Sequence, residues 1–132
     1  MHINHFAVVA AAIATFVIGG VWYSPVLFHK AWMDASGLNE ADLKKSSMAK
    51  IFGMSFIFSL MMAYNLAAFL AGPDTTVLWG TAAGGLAGIG WVALSIGILG
   101  LFERRSWKYV LINGGYFGAS FVVMGAIIGA WR

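Results

Sequence analysis

The sequence predicts an all-α membrane protein with four transmembrane helices and a short interfacial amphipathic helix after the first. Three observations carry this. Of the 132 residues, 61% are hydrophobic and 10% charged, where about a quarter charged is usual for a soluble domain; the chain has too little polar surface to coat itself in water. Four almost uncharged runs each match the roughly 20 residues that cross a hydrocarbon core. Turn-forming and charged residues fall between these runs. One four-helix domain over 1–132 is expected, with spans at about 4–23, 48–71, 77–102 and 109–131 and the interfacial helix at about 25–35.

The first span holds no charge from Asn4 to Tyr23. It lacks the basic leader of a signal peptide and ends in Gly-Gly-Val-Trp-Tyr, so a retained helix is expected. Ala7, Ala11, Thr15 and Gly19 recur every four residues and give it one small-residue face for close packing. Pro25 cannot donate a backbone hydrogen bond and disfavours helix at the residue before it, so the helix should stop near Ser24. A restart is expected at once, with Ser24 as N-cap and Pro25 in the first position. Leu27, Phe28, Ala31 and Trp32 then share one side, and His29, Lys30 and Asp34 the other, which suits a helix lying in the interface. Gly37 should end it.

Asn39 can cap the next helix, with Glu40 and Asp42 at its positive end. A polar prelude is expected to run into the second span, whose interior polar residues are Ser55, Ser59, Tyr64 and Asn65. Gly72-Pro73-Asp74-Thr75-Thr76 is a turn with two strong breakers. In the third span Gly80, Gly84, Gly88, Trp91 and Ser95 should follow one helical face, and in the fourth Gly114, Gly118, Gly125 and Gly129 another; both read as helix-packing surfaces.

The basic residues sit in two loops: Lys30, Lys44, Lys45 and Lys50 after the first span, Arg104, Arg105 and Lys108 after the third. By the positive-inside rule both loops face the cytoplasm and both termini face away from it. A net charge of +3 clustered in this way is a topology signal, and no nucleic-acid partner is expected. Without cysteine there is no disulfide, thiolate metal site or cysteine nucleophile. No cofactor is expected.

The block Trp22-Tyr23-Ser24-Pro25-Val26-Leu27-Phe28-His29-Lys30-Ala31-Trp32-Met33, followed by Ser36-Gly37-Leu38 and an acidic stretch, resembles the bacterial membrane family known only as DUF1761. Trp22, Tyr23, Ser24, Pro25, Lys30, Ala31, Trp32 and Met33 carry the resemblance, and the interface alone accounts for their residue types as an anchor. His29 stands where the family pattern has a small residue. The resemblance implies a four-helix protein of the bacterial inner membrane and brings no activity with it.

No Asp, Glu, Lys or Arg lies deep in any span. Such groups are costly in hydrocarbon and mark coupling sites, so their absence weighs against proton-coupled export and against carboxylate catalysis. No enzyme is expected. Asn4, Ser55, Asn65, Ser95 and Asn113 are the candidates for a polar track; the plainer expectation is hydrogen bonding between helices. Two functional readings stay open. In one, the protein self-associates as a homo-oligomer in the lipid bilayer and any channel-like or carrier-like pathway forms between subunits. In the other, it is an adaptor whose basic loops dock a membrane-protein partner or anionic lipid.

Overall fold

A computed structural model describes residues 2–132. Helix α1 spans His5–Trp22, α2 His29–Ser36, α3 Glu40–Lys44 and α4 Met48–Phe69. Helix α5 covers Val77–Phe102 and α6 Trp107–Ala130. Four of these, α1, α4, α5 and α6, are long and apolar enough to cross a membrane, so the protein is an all-α, four-span membrane protein.

Local chemistry sets most of the ends. Asn4 Oδ1 accepts from the amides of Phe6 and Ala7 at the start of α1. Asn39 and Asp42 close a reciprocal capping box on α3, and Ser47, Thr76 and Ser106 cap α4, α5 and α6. Gly37 ends α2 with φ 70°, in the left-handed region where a side chain is penalised. Arg132 ties the chain end to the α4–α5 turn by donating to the carbonyls of Leu70 and Gly72.

Three sequence expectations are corrected. The interfacial helix starts at His29, not Pro25, and Ser24 does not cap it. The Ser24 carbonyl accepts from the amides of Leu27 and His29, and its hydroxyl donates back to Val21. The freed backbone groups after the proline are thus satisfied by turns, and no helix is needed to satisfy them. Second, the polar prelude is a separate helix: α3 ends at Lys44, and Ser47 begins α4 afresh.

Third, α5 is not a continuous α-helix. Gly88–Ala93 forms a π-helical turn between two α-helical stretches. Up to its first residue Gly80, Gly84 and Gly88 face α6; from its second residue onward the residues facing α6 are Ile89, Ala93, Gly97 and Gly100. Spacing by four holds from Gly80 to Gly88 and again from Ile89 to Gly97, and the two series are offset by one residue. An unbroken helix would have sent the second half of this face away from α6, and the extra residue brings it back. Trp91 and Ser95 therefore leave the glycine face and point outward, Trp91 being 71% exposed.

Helix α6 is the centre of the bundle. It packs antiparallel to α1 and α5, and α4 packs on α1, giving the order α4, α1, α6, α5 as an open arc. The stripe of Ala7, Ala11 and Thr15 is buried, and with Val8, Ala63, Leu66, Leu70, Met124 and Ile128 builds the core. The α5–α6 pair is closer still: a Cβ added at Gly80 would overlap the Gly125 carbonyl, one at Gly84 the Phe121 carbonyl, and one at Gly129 the Thr76 carbonyl. Backbones in such contact gain dispersion and weak Cα–H···O bonding that lipid cannot supply. Helices α4 and α5 do not form a packed pair, and a lateral groove opens between them.

Candidate functional site

The chain's polar chemistry within the bundle collects where the Trp22–Met33 block meets α6. The Trp22 indole donates to the Ile112 carbonyl at 2.9 Å, and its ring lies 5.1 Å from that of Phe28. Tyr23 donates to Asn113 Oδ1 at 2.6 Å, and Asn113 Nδ2 donates to the Tyr109 carbonyl at 3.0 Å. The Tyr23 ring meets Trp32 and Tyr116 edge-on, at 5.5 and 5.4 Å. Tyr116 in turn donates to the Thr15 carbonyl at 3.1 Å, and Met33 is buried. One strand of hydrogen bonds and edge-on rings thus joins α1, α2 and α6.

The block follows the C-terminal end of α1, and its geometry ties that end to α6. Trp22, Tyr23 and Trp32 turn inward as a clasp on α6, while Lys30 stays exposed. Pro25 is exposed, Ala31 half-buried and Ser24 engaged in the turn. Tyr116 and Thr15 were not among the sequence candidates for this site. The one available signal was a tyrosine placed mid-span, where its hydroxyl must find a partner. Ser120 Oγ, fully buried beside this cluster, has no hydrogen-bond partner among the described residues.

A hydrogen bond to a neutral acceptor in hydrocarbon contributes about 1–2 kcal/mol. Tyr23→Phe and Asn113→Leu should each destabilise the fold by about that much, and the double variant should cost less than the sum. Reversible denaturation in mixed micelles would read this as a coupling energy. Strict additivity would show the 2.6 Å contact to be energetically idle.

The five polar-track candidates do not share a path. Asn4 caps α1 and also donates to the Trp131 carbonyl, at one end of the bundle. Asn113 is at the other end, in the clasp. Ser55 and Ser95 are exposed on outward faces, and Ser95 donates to the Trp91 carbonyl one turn back. Asn65 is exposed on the wall of the α4–α5 groove, with Nδ2 on the Met61 carbonyl. Of the packing glycines, Gly80, Gly84 and Gly88 meet Gly125, Gly129 and Phe121, whereas Gly114 and Gly118 meet Ala93 and Ile89 within the π-helical turn.

His5 shares a 2.8 Å hydrogen bond with the Tyr64 hydroxyl, and His29 one of 3.2 Å with Glu40. Among the described residues no three His, Asp or Glu side chains come close enough to hold a metal ion.

No curated protein and no solved structure matches the chain. The model of one family, described as "Protein of unknown function (DUF1761)", matches residues 6–129, nearly the whole chain and all four spans. The clasp residues Trp22 to Met33 lie inside that match, and the protein belongs to the DUF1761 family.

Proposed function

We propose that the protein is a self-associating component of the bacterial inner membrane that carries out no bond-making chemistry, and that the outer face of α5 and α6 joins its copies. The observation that supports this is the isolation of α5. Among the described residues α6 is the helix it packs on, and only 11% of its most apolar stretch is buried, against 44% for α6. Beside it lies a second concavity of about 690 Å³, lined by Ala93, Gly97, Gly114, Gly118 and Ala119 among others. The same small residues that let α5 approach α6 continue outward onto this face, and close approach is what joins helices in lipid. Because the polar candidates diverge within one subunit, a pathway for a small solute would run between subunits.

Leu111 lines this concavity and is 71% exposed. Leu111→Trp adds its bulk outward, and should therefore leave the subunit folded and turn an oligomer in lipid nanodiscs into monomer, read by photobleaching steps. Monomers in both wild type and variant would sink the reading. A liposome flux panel on the oligomer then decides between a pathway and a purely structural assembly.

The charged end supports the adaptor reading as a second proposal. Lys30, Lys44, Lys45, Lys50, Arg104 and Lys108 are exposed, and the ion pairs among the described residues are His29–Glu40 and Arg105–Glu103. Six cations without a carboxylate partner at one end of the bundle suit a cytoplasmic surface facing anionic headgroups, with both termini on the opposite side.

A further inference from the structure

We propose that the groove between α4 and α5 is a lipid site: it holds one acyl chain of an anionic glycerophospholipid, whose ester carbonyl meets Asn65 and whose phosphate meets Arg132. The site lies at the end of the bundle opposite the basic loops, and does not depend on the oligomer or adaptor readings.

Size selects the occupant first. The groove offers about 540 Å³, within the range of small-molecule sites, and is open to lipid along one side. Its α5 wall runs from Trp79 to Val92, fourteen residues or about 20 Å of helix. A partner span would cross the whole ~30 Å hydrocarbon core and overrun a groove of that length. The length is close to one leaflet, about half of a ~30 Å hydrocarbon core, which is the reach of a single acyl chain. Phe69, Leu86, Val92 and Phe121 give that chain apolar walls.

Polarity selects it second. Asn65 is exposed to the groove, and its one hydrogen bond among the described residues runs to Met61 of its own helix. The amide keeps a second N–H and its carbonyl oxygen, and in hydrocarbon these need a partner. Asn65 is one helical turn, about 6 Å, in from Phe69 at the mouth, just inside the headgroup level where an ester carbonyl lies. Trp79 stands at the mouth, where indoles favour the interface. At the same end Arg132 lines a separate small cleft with Ala67 and Ile128 and is fixed over the α4–α5 turn by the Leu70 and Gly72 carbonyls; a guanidinium has five N–H donors, so donors remain for a phosphate lying over that turn.

The π-helical turn belongs to this site. Its extra residue sets Gly90, Trp91 and Val92 on the groove wall, and such turns persist where a function needs the re-aimed side chains. Gly90 is open space: a Cβ there meets nothing within 4 Å.

The test is native mass spectrometry of delipidated protein titrated with dioleoylphosphatidylglycerol, with dioleoylglycerol and a long-chain quinone as parallel arms. Wild type should retain one phosphatidylglycerol per subunit in preference to either. Gly90→Phe, filling the groove, should weaken retention at least about tenfold. Asn65→Leu should weaken it by about tenfold, the loss of one well-made hydrogen bond in apolar surroundings. Arg132→Gln should abolish the preference for phosphatidylglycerol over dioleoylglycerol. Gly53→Phe, on an open outward face of α4, should bind as wild type. Asn65→Leu adds no bulk and sits on the other helix, so it reads the site even if Gly90→Phe misfolds. Wild-type retention in Asn65→Leu and Gly90→Phe overturns the proposal. So does a quinone outcompeting the phospholipid, or a change of oligomeric state in Gly90→Phe with lipid retention intact.

Discussion

Gly84→Ala, one added methyl group, should destabilise the fold by about 3 kcal/mol, the upper part of the range for overpacking. Helix propensity alone gives the opposite sign, since alanine is favoured over glycine by about 1 kcal/mol in a helix interior. What decides is the neighbour. The added Cβ would lie on the carbonyl oxygen of Phe121 and close to the Gly125 backbone, and backbone cannot swing aside as a side-chain tip can. Helix α5 has no other helix to rest on, so pushing it from α6 loses the whole contact. Gly53→Ala is the matched control: its Cβ meets nothing within 4 Å, and it should be neutral or slightly stabilising. Denaturant titration in mixed micelles compares the two. Equal stability would mean that the glycine-mediated contact does not hold α5 in place.

The four spans were legible in the sequence because hydrocarbon thickness fixes their length and no charge falls deep inside them, Lys50 and Lys108 sitting in the first turn of their helices. The caps at Asn39 and Gly37 were legible because their chemistry is local. The rotation of α5 was not. Glycines at 80, 84 and 88 announce a face, but the one-residue slip to Ile89, Ala93 and Gly97 is set by the partners offered by α6, a non-local condition. An extrapolated α-helical face therefore placed Trp91 and Ser95 wrongly.

The polar candidates failed to converge for a related reason. Asn65, Ser95 and Asn113 each bond the backbone carbonyl four residues back, as do Thr15 and Thr81. A polar side chain that is satisfied by its own helix has less need of a distant partner, so its presence in a span does not announce a shared track. Asn113 and Asn65 differ from the rest in having amide capacity left over. The first gives it to Tyr23, and the second faces the groove.

Trp22→Ala should be the most damaging change at the clasp, by about 3–5 kcal/mol, the usual cost of truncating a large packed aromatic. A tryptophan that merely anchored a helix end at the headgroup level would cost far less, because lipid would close over the gap. The structure gives Trp22 protein partners on several sides: Phe28 against its ring, the Ile112 carbonyl on its indole nitrogen, and the Gly115 position, where an added Cβ would stand 3.0 Å from the ring. Its loss opens the α1–α6 junction and leaves Phe28 and the start of α2 without their support. Trp22→Phe separates the two contributions. It keeps most of the ring and loses the indole N–H, so it should cost about 1 kcal/mol. Gly115→Ala approaches the same contact from α6 and should be destabilising in wild type but nearly neutral in Trp22→Ala, where the ring is gone. Denaturation of the four proteins closes the cycle. If Gly115→Ala costs the same in both backgrounds, Trp22 does not seat on α6 and its part is confined to the interface.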